Sequence, residues 1–144
     1  MGKNGLNRIF VDTGYIIALI NKRDQYHQQA IELAIRFEGY FLLTTDAVLL
    51  EVGNSLVRNY KKQAIEVIEQ FLDTDEERLE VVSLTPRLFN QALTLYKRHQ
   101  DKEWGLVDCV SFTVMQEVGI YQALAFDRHF VQAGFQLLGQ ISDE

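Results

Sequence analysis

The sequence predicts an α/β protein, with helices layered around a parallel sheet. Short runs rich in β-branched and aromatic residues alternate with longer stretches of helical periodicity. The chain carries a single proline, Pro86, and no Pro/Gly/Ser-rich linker, repeat or low-complexity tract interrupts the alternation. Its 144 residues therefore read as one domain, 1–144, long enough to bury a core without staples.

Taken in order, "RIFV" at 8–11 is an unbroken apolar run, as expected of a buried strand, and an apolar helical run resumes at Tyr15. A helix is predicted over 24–37, with Ala30, Leu33, Ala34 and Phe37 on one stripe. "YFLLTT" at 40–45 is the second strand; a helix over 46–59 follows, with Val48, Val52 and Leu56 aligned. A further helix covers 61–73, with Ile65, Ile68 and Leu72, before the strand "RLEVVSL" at 78–84. The helix over 86–99 aligns Leu88, Ala92, Leu95 and Tyr96; "QDKEWG" at 100–105 reads as a loop. The stretch 106–118 is apolar nearly all round, which is the pattern of a buried helix. Strands "QALAF" at 122–126 and "FQLLG" at 135–139 complete the sheet, and "QISDE" reads as a frayed tail.

Composition narrows the function. At 47% hydrophobic and 24% charged, the chain is ordinary for a soluble globular protein. One cysteine, Cys109, excludes an internal disulfide and fits a reducing compartment. Asp12 interrupts the only stretch resembling a secretory signal, and Leu6 stands where a myristoylation signal wants Ser or Thr. No run approaches the ~20 apolar residues of a membrane span, so a soluble, cytoplasmic protein is expected. The net charge of -6 and pI near 5.1 argue against a general nucleic-acid binder, which carries a basic excess.

Four acids stand in apolar company: Asp12 in "FVDTGYIIAL", Glu51 in "DAVLLEVGNSL", Asp108 in "WGLVDCVSF" and Asp127 in "ALAFDRHF". Each has a local explanation. Asp12 and Asp127 precede helical runs and can cap them; Asp108 can complement a helix dipole; Glu51 can snorkel to the surface. Jointly those explanations require unrelated reasons for several acids to be embedded in apolar sequence. Asp12 and Asp127 also fall at the carboxyl ends of proposed parallel strands, the rim where open α/β sheets bind ligands. If they converge, their mutual repulsion is relieved by a divalent cation, and oxygen ligands without His or Cys suit Mg²⁺ or Mn²⁺. Such a site best supports phosphodiester hydrolysis, by polarising the phosphate and lowering the pKa of a water. Arg58, Lys61, Lys62, Lys97, Arg98, His99 and Arg128 are the basic groups available to hold flanking phosphates; as helix ends in solvent they also need no function.

Those four segments, in that order, resemble the PIN domain family, which includes the VapC-like toxin ribonucleases of bacterial toxin-antitoxin pairs. The resemblance runs from about Arg8 to Leu138. It implies an α/β/α sandwich with a central parallel sheet, Mg²⁺- or Mn²⁺-dependent RNA cleavage, an antitoxin partner and frequent homodimerisation. Carried over residue by residue, it assigns the acids to Asp12, Glu51, Asp108 and Asp127. Asp12 and Asp108 would contact metal directly, Asp127 directly or through water. Glu51 would bind a second metal or orient the attacking water. Thr13 and Asn54 would hydrogen-bond the carboxylates or a metal-held water. Family members often carry Thr or Ser just before the last acid; here Ala125 and Phe126 stand there. Asp101 is a further acid that could approach the site, though a loop position explains it.

Other readings fit less well. A haloacid-dehalogenase-type phosphatase wants a second Asp two residues after the first, where this chain has Gly14. A response-regulator receiver wants a strand-end Lys, and no strand here ends in one. Cys109 lies inside the buried helix without a recognisable His partner, and His27, His99 and His129 lack metal-ligand spacing. His129 could reach a phosphate beside Asp127 or simply sit on a surface helix. The alternative of another class is a catalytically silent PIN-fold module that binds RNA or protein.

Overall fold

The computed structural model describes residues 8–139. The predicted tail, 140–144, and the amino-terminal residues before Arg8 lie outside them. Strand β1 (Arg8–Val11) leads into α1 (Thr13–Ile20) and α2 (His27–Arg36). Then come β2 (Phe41–Thr45), α3 (Asp46–Ser55), α4 (Lys61–Leu72) and β3 (Leu79–Val82). The second half runs α5 (Pro86–Arg98), α6 (Leu106–Val118), β4 (Gln122–Leu124), α7 (His129–Gln132) and β5 (Gln136–Leu137).

All four strand pairings are parallel, in the order β3-β2-β1-β4-β5. This is the predicted α/β architecture. The sheet steps outward from β1 to β3, then returns to place β4 on the other side of β1. Right-handed crossovers therefore cover both faces with helices. On those faces α1 packs on α2 and α3, α3 on α4, and α5 on α6. Central strands are buried on both faces, so Ile9, Phe10, Val11 and Leu43 are at most 1% exposed. Among the described residues no helix is long and apolar enough to cross a membrane.

Capping chemistry sets several boundaries. The Thr45 and Thr85 hydroxyls accept the amide N–H of Val48 and Leu88, each at 3.1 Å, and Pro86 occupies the first turn of α5. Helix α6 buries Cys109, Val110, Ser111, Phe112, Val114 and Met115, as its all-round apolar pattern predicts, and stops at Gly119 in the left-handed region (φ +76°). The second helix starts at His27 instead of residue 24 because short polar residues take the backbone into turns. Asn21 Oδ1 accepts the Arg23 N–H, and Asp24 Oδ1 accepts the Tyr26 N–H. The third strand ends at Val82 because the Leu84 N–H turns to the Asp46 carboxylate, at 3.0 and 3.2 Å.

One buried hydrogen bond holds the functional end of the sheet. Thr44 is fully buried, and its hydroxyl donates to the Val11 carbonyl at 2.8 Å, one residue before Asp12. Thr44→Val keeps the shape and removes the donor. Urea unfolding is expected to register a loss of about 1–3 kcal/mol, with Thr44→Ser retaining most of the stability.

Candidate active site

The four predicted acids arrive at one place by separate routes. Asp12 continues β1: its amide donates to the Leu124 carbonyl at 3.1 Å, extending the β1–β4 pairing by one step. That bond brings the side chain out at the carboxyl rim, next to the end of β4. Asp12 occupies the cap position of α1 with extended backbone (φ −97°, ψ 163°), yet its side chain caps nothing. Capping therefore does not explain this residue. Glu51 projects from α3, and its Oε1 accepts the Thr13 hydroxyl at 2.7 Å.

Asp108 and Asp127 do have the local roles that sequence allowed. Asp108 Oδ2 accepts the Gly105 N–H at 3.0 Å at the start of α6. Asp127 Oδ1 accepts the His129 N–H at 2.9 Å, turning the chain into α7. Neither role consumes the carboxylate. Asp12, Glu51, Asp108 and Asp127 all line one cleft of about 470 Å³, together with Thr13, Gly14, Asp24, Gln25, Tyr26 and Phe126. A second hollow, of about 500 Å³, lies over Tyr15, Leu33, Phe37 and Val67; it is mainly apolar and gathers no such acid cluster.

Charge crowding shows in Asp12, which is 7% exposed. Its carboxyl is pushed up to about 7, first by burial and then by Asp108, with Asp127 and Glu51 adding to the effect; the Thr13 amide opposes it. All three other acids thus act electrostatically on Asp12.

His129 joins the same group. Its Nδ1 lies 2.9 Å from Asp108 Oδ2 and 3.2 Å from Asp127 Oδ1. Ionised carboxylates only accept, so the imidazole donates through Nδ1–H and ties two acids together. One ligand atom from each of Asp108, Asp127 and His129 lies within 4.8 Å of the others. With Nδ1–H donating to both acids that nitrogen is not free to ligate, and the hard carboxylate oxygens suit Mg²⁺ or Mn²⁺. The sequence offered two uses for His129, and neither was this one. Its spacing of two residues from a rim acid, at the first turn of a helix, was the available signal.

Other candidates fall elsewhere. Asn54 is exposed, makes no hydrogen bond among the described residues and does not line the cleft. Three residues beyond Glu51 it lies on the same side of α3, yet no hydrogen bond joins its side chain to the acids, so it does not support the carboxylates as expected. Asp101 pairs with Lys102 at 3.0 Å with its side chain 68% exposed, away from the cleft. Arg58, Lys61, Lys62, Lys97, Arg98 and Arg128 are exposed and unpaired among the described residues. The Cys109 thiol is fully buried and pushed up to about 11 by burial and by Asp108, so it is no nucleophile.

Known proteins share this arrangement of chain. The model of the PIN domain matches residues 9–136. A Mycobacterium tuberculosis protein, the 23S rRNA-specific endonuclease VapC20, is 35% identical over 127 residues, covering 88% of this chain and 95% of its own. The crystal structure of M. tuberculosis VapC20, described as a sarcin-ricin loop cleaving toxin, superposes with a TM-score of 0.78 at 34% identity, over 88% of this chain and 95% of that one. VapBC2 from Rickettsia felis, bound to a DNA fragment from its promoter, shares the fold at 16% identity with a TM-score of 0.61, over 90% of this chain and 96% of the other. With the family model spanning nearly the whole described chain and the rim acids converging at the β1–β4 junction, this protein belongs to the PIN domain family.

Proposed function

We propose that the protein is an endoribonuclease that hydrolyses RNA phosphodiester bonds with the help of Mg²⁺ or Mn²⁺, and that it is the toxin of a toxin-antitoxin pair. The observation that carries this reading is the convergence of Asp12, Glu51, Asp108 and Asp127 on one cleft, with Asp12 pushed up to about 7 by its burial and then by the neighbouring acids. Acids so placed cost stability unless a cation joins them. Likeness to a 23S rRNA-specific endonuclease supports RNA as substrate, and a sarcin-ricin hairpin is the first RNA to test. An antitoxin partner, a homodimer, a cytoplasmic location and one functional unit over 1–144 belong to the same proposal.

Asp12, Asp108 and Asp127 would hold the cation, with His129 fixing the last two relative to each other. When bound, the cation offsets the acids' charge and polarises the scissile phosphate. The remaining work falls to the chain. Thr13 occupies Oε1 of Glu51 and fixes its orientation, leaving Oε2 to take a proton from the attacking water. Exposed Arg128 follows Asp127 directly and can hold a flanking phosphate.

The test is single-turnover cleavage of the labelled hairpin. Glu51→Gln is expected to slow it about 100- to 10,000-fold. Thr13→Val is expected to slow it about 10- to 100-fold, with Thr13→Ser close to wild type. Mn²⁺ calorimetry should give binding to wild type that disappears in Asp12→Asn and Asp108→Asn. No metal binding and no cleavage by wild type would leave a PIN-fold binding module.

A pH prediction follows from the burial and crowding of Asp12. Below about 4 Asp12 is protonated in folded and unfolded chains alike. Between about 4 and 7 the folded chain holds the proton and the unfolded chain has lost it. The folded state then binds more protons, so rising pH lowers the contribution of Asp12 to stability, by up to about 1.4 kcal/mol per unit. In EDTA, Asp12→Asn should therefore be the more stable protein at pH 8, with the gap closing toward pH 4. Mn²⁺ at pH 8 should raise the melting temperature of wild type alone. A variant less stable than wild type at pH 8 in EDTA would contradict the repulsion.

A further inference from the structure

We infer that Tyr26 and Phe126 form a stacking platform for an unpaired nucleobase beside the scissile phosphate, a subsite that deepens the ribonuclease reading and rests on it. The two rings are separated by 100 positions in sequence yet stack face to face, with centroids 4.4 Å apart and planes within 8°. Both line the acidic cleft. Tyr26 is 36% exposed, and Phe126 is its only ring partner among the described residues, so a second planar group can lie on its outward face.

A stacked aromatic pair is ordinarily core. Three features set this one apart. It stands at the mouth of a charged cleft, not in the interior. It is also held rigidly from behind. Phe126 meets Tyr15 at 6.3 Å between ring centroids and abuts Gly139, where an added Cβ would lie 2.8 Å from the ring edge. Tyr26 is fixed by the bond from its amide to Asp24 Oδ1 at 2.8 Å and by its carbonyl, which accepts the Ala30 N–H in the first turn of α2 at 2.8 Å. Finally, among the described residues no Lys or Arg lines the cleft, whose walls otherwise carry five acids, Asp12, Asp24, Glu51, Asp108 and Asp127. A polyanion needs a grip there that does not depend on positive charge. An aromatic face provides one, because stacking on a base is indifferent to the phosphates. Unpaired, splayed bases are also how proteins recognise RNA loops, and a purine offers the larger ring area. This gives Phe126 a use at the position where relatives often carry Thr or Ser.

The test reads binding and chemistry separately. The probe is a sarcin-ricin hairpin RNA with 2-aminopurine replacing each loop purine in turn. Wild type should quench one position strongly. Tyr26→Phe should quench equally. Tyr26→Ala and Tyr26→Leu should lose the quench and bind about 10- to 100-fold more weakly, and Tyr26→Leu should melt like wild type because it still covers Phe126. In cleavage, the same two variants should raise the half-saturating concentration by the same factor and leave the maximal single-turnover rate within about twofold. An abasic site at the quenched position should weaken wild type equally and leave Tyr26→Ala unchanged. Quenching that survives in Tyr26→Ala, or is absent from wild type, overturns the platform and leaves the ribonuclease reading intact. Quenching without any cleavage keeps the platform and overturns the ribonuclease reading.

Discussion

Everything at the active rim depends on the pairing of β1 with β4. Phe10 lies opposite Ala123, Val11 opposite Leu124, and the Asp12 amide closes on the Leu124 carbonyl. Sequence order would have placed β2 and β3 beside β1 and gone no further. The return of the chain to the far side of β1 makes the junction a point where the crossovers diverge, and helices cannot fill the crevice between them. Asp12 enters that crevice from one strand, and Asp127 enters it three residues after the end of the other. The two carboxylates are neighbours because the backbone ladder fixes them, not because they attract.

A site assembled against repulsion needs external support, and the fold supplies it on each side. Asp108 is anchored by the Gly105 amide and by His129, and its helix is the most deeply embedded in the molecule. Glu51 is steadied by Thr13, the residue that follows Asp12. Asp127 is bent into place by the backbone of His129. Asp108, Glu51 and Asp127 are therefore each oriented by at least one hydrogen bond, and Asp12 by the strand it extends. The capping and catalytic readings of these residues are compatible: the cap orients the carboxylate, and the remaining lone pairs stay available.

Legibility in the sequence followed the range of the interaction. Strands and helices were legible because periodicity is local, and the acids because a charge between apolar neighbours breaks that periodicity. The start of α2 was misplaced by three residues because Asn21 and Asp24 bond their own backbone, a side-chain effect that periodicity does not register. His129 was not legible as a bridge. Its partners lie 21 and two residues away, and only the fold makes them adjacent. The stack of Tyr26 on Phe126 left no trace at all, since neither ring is periodic with anything around it. Asn54 differed in the opposite way: a motif suggested a role, and the exposed side chain is not part of the cleft lining.

The acidic charge of the chain, at first an objection to RNA, is resolved by where the charges stand. Acids fill the cleft, and the unpaired cations Arg58, Lys61, Lys62, Lys97, Arg98 and Arg128 lie on the exposed surface outside its lining. Exposed acids such as Glu66, Glu69, Asp73, Asp75 and Glu77 share that surface, so with a Debye length of about 8 Å in physiological salt each cation can hold only a phosphate that comes close to it. In the proposed reading, a divalent cation and neutral surfaces hold the substrate in the cleft, where the acids alone would repel it. Peripheral grip, local neutrality and a concentrated positive centre are separate tasks. A net negative chain can perform all three, provided its own carboxylates are the ones that the cation covers.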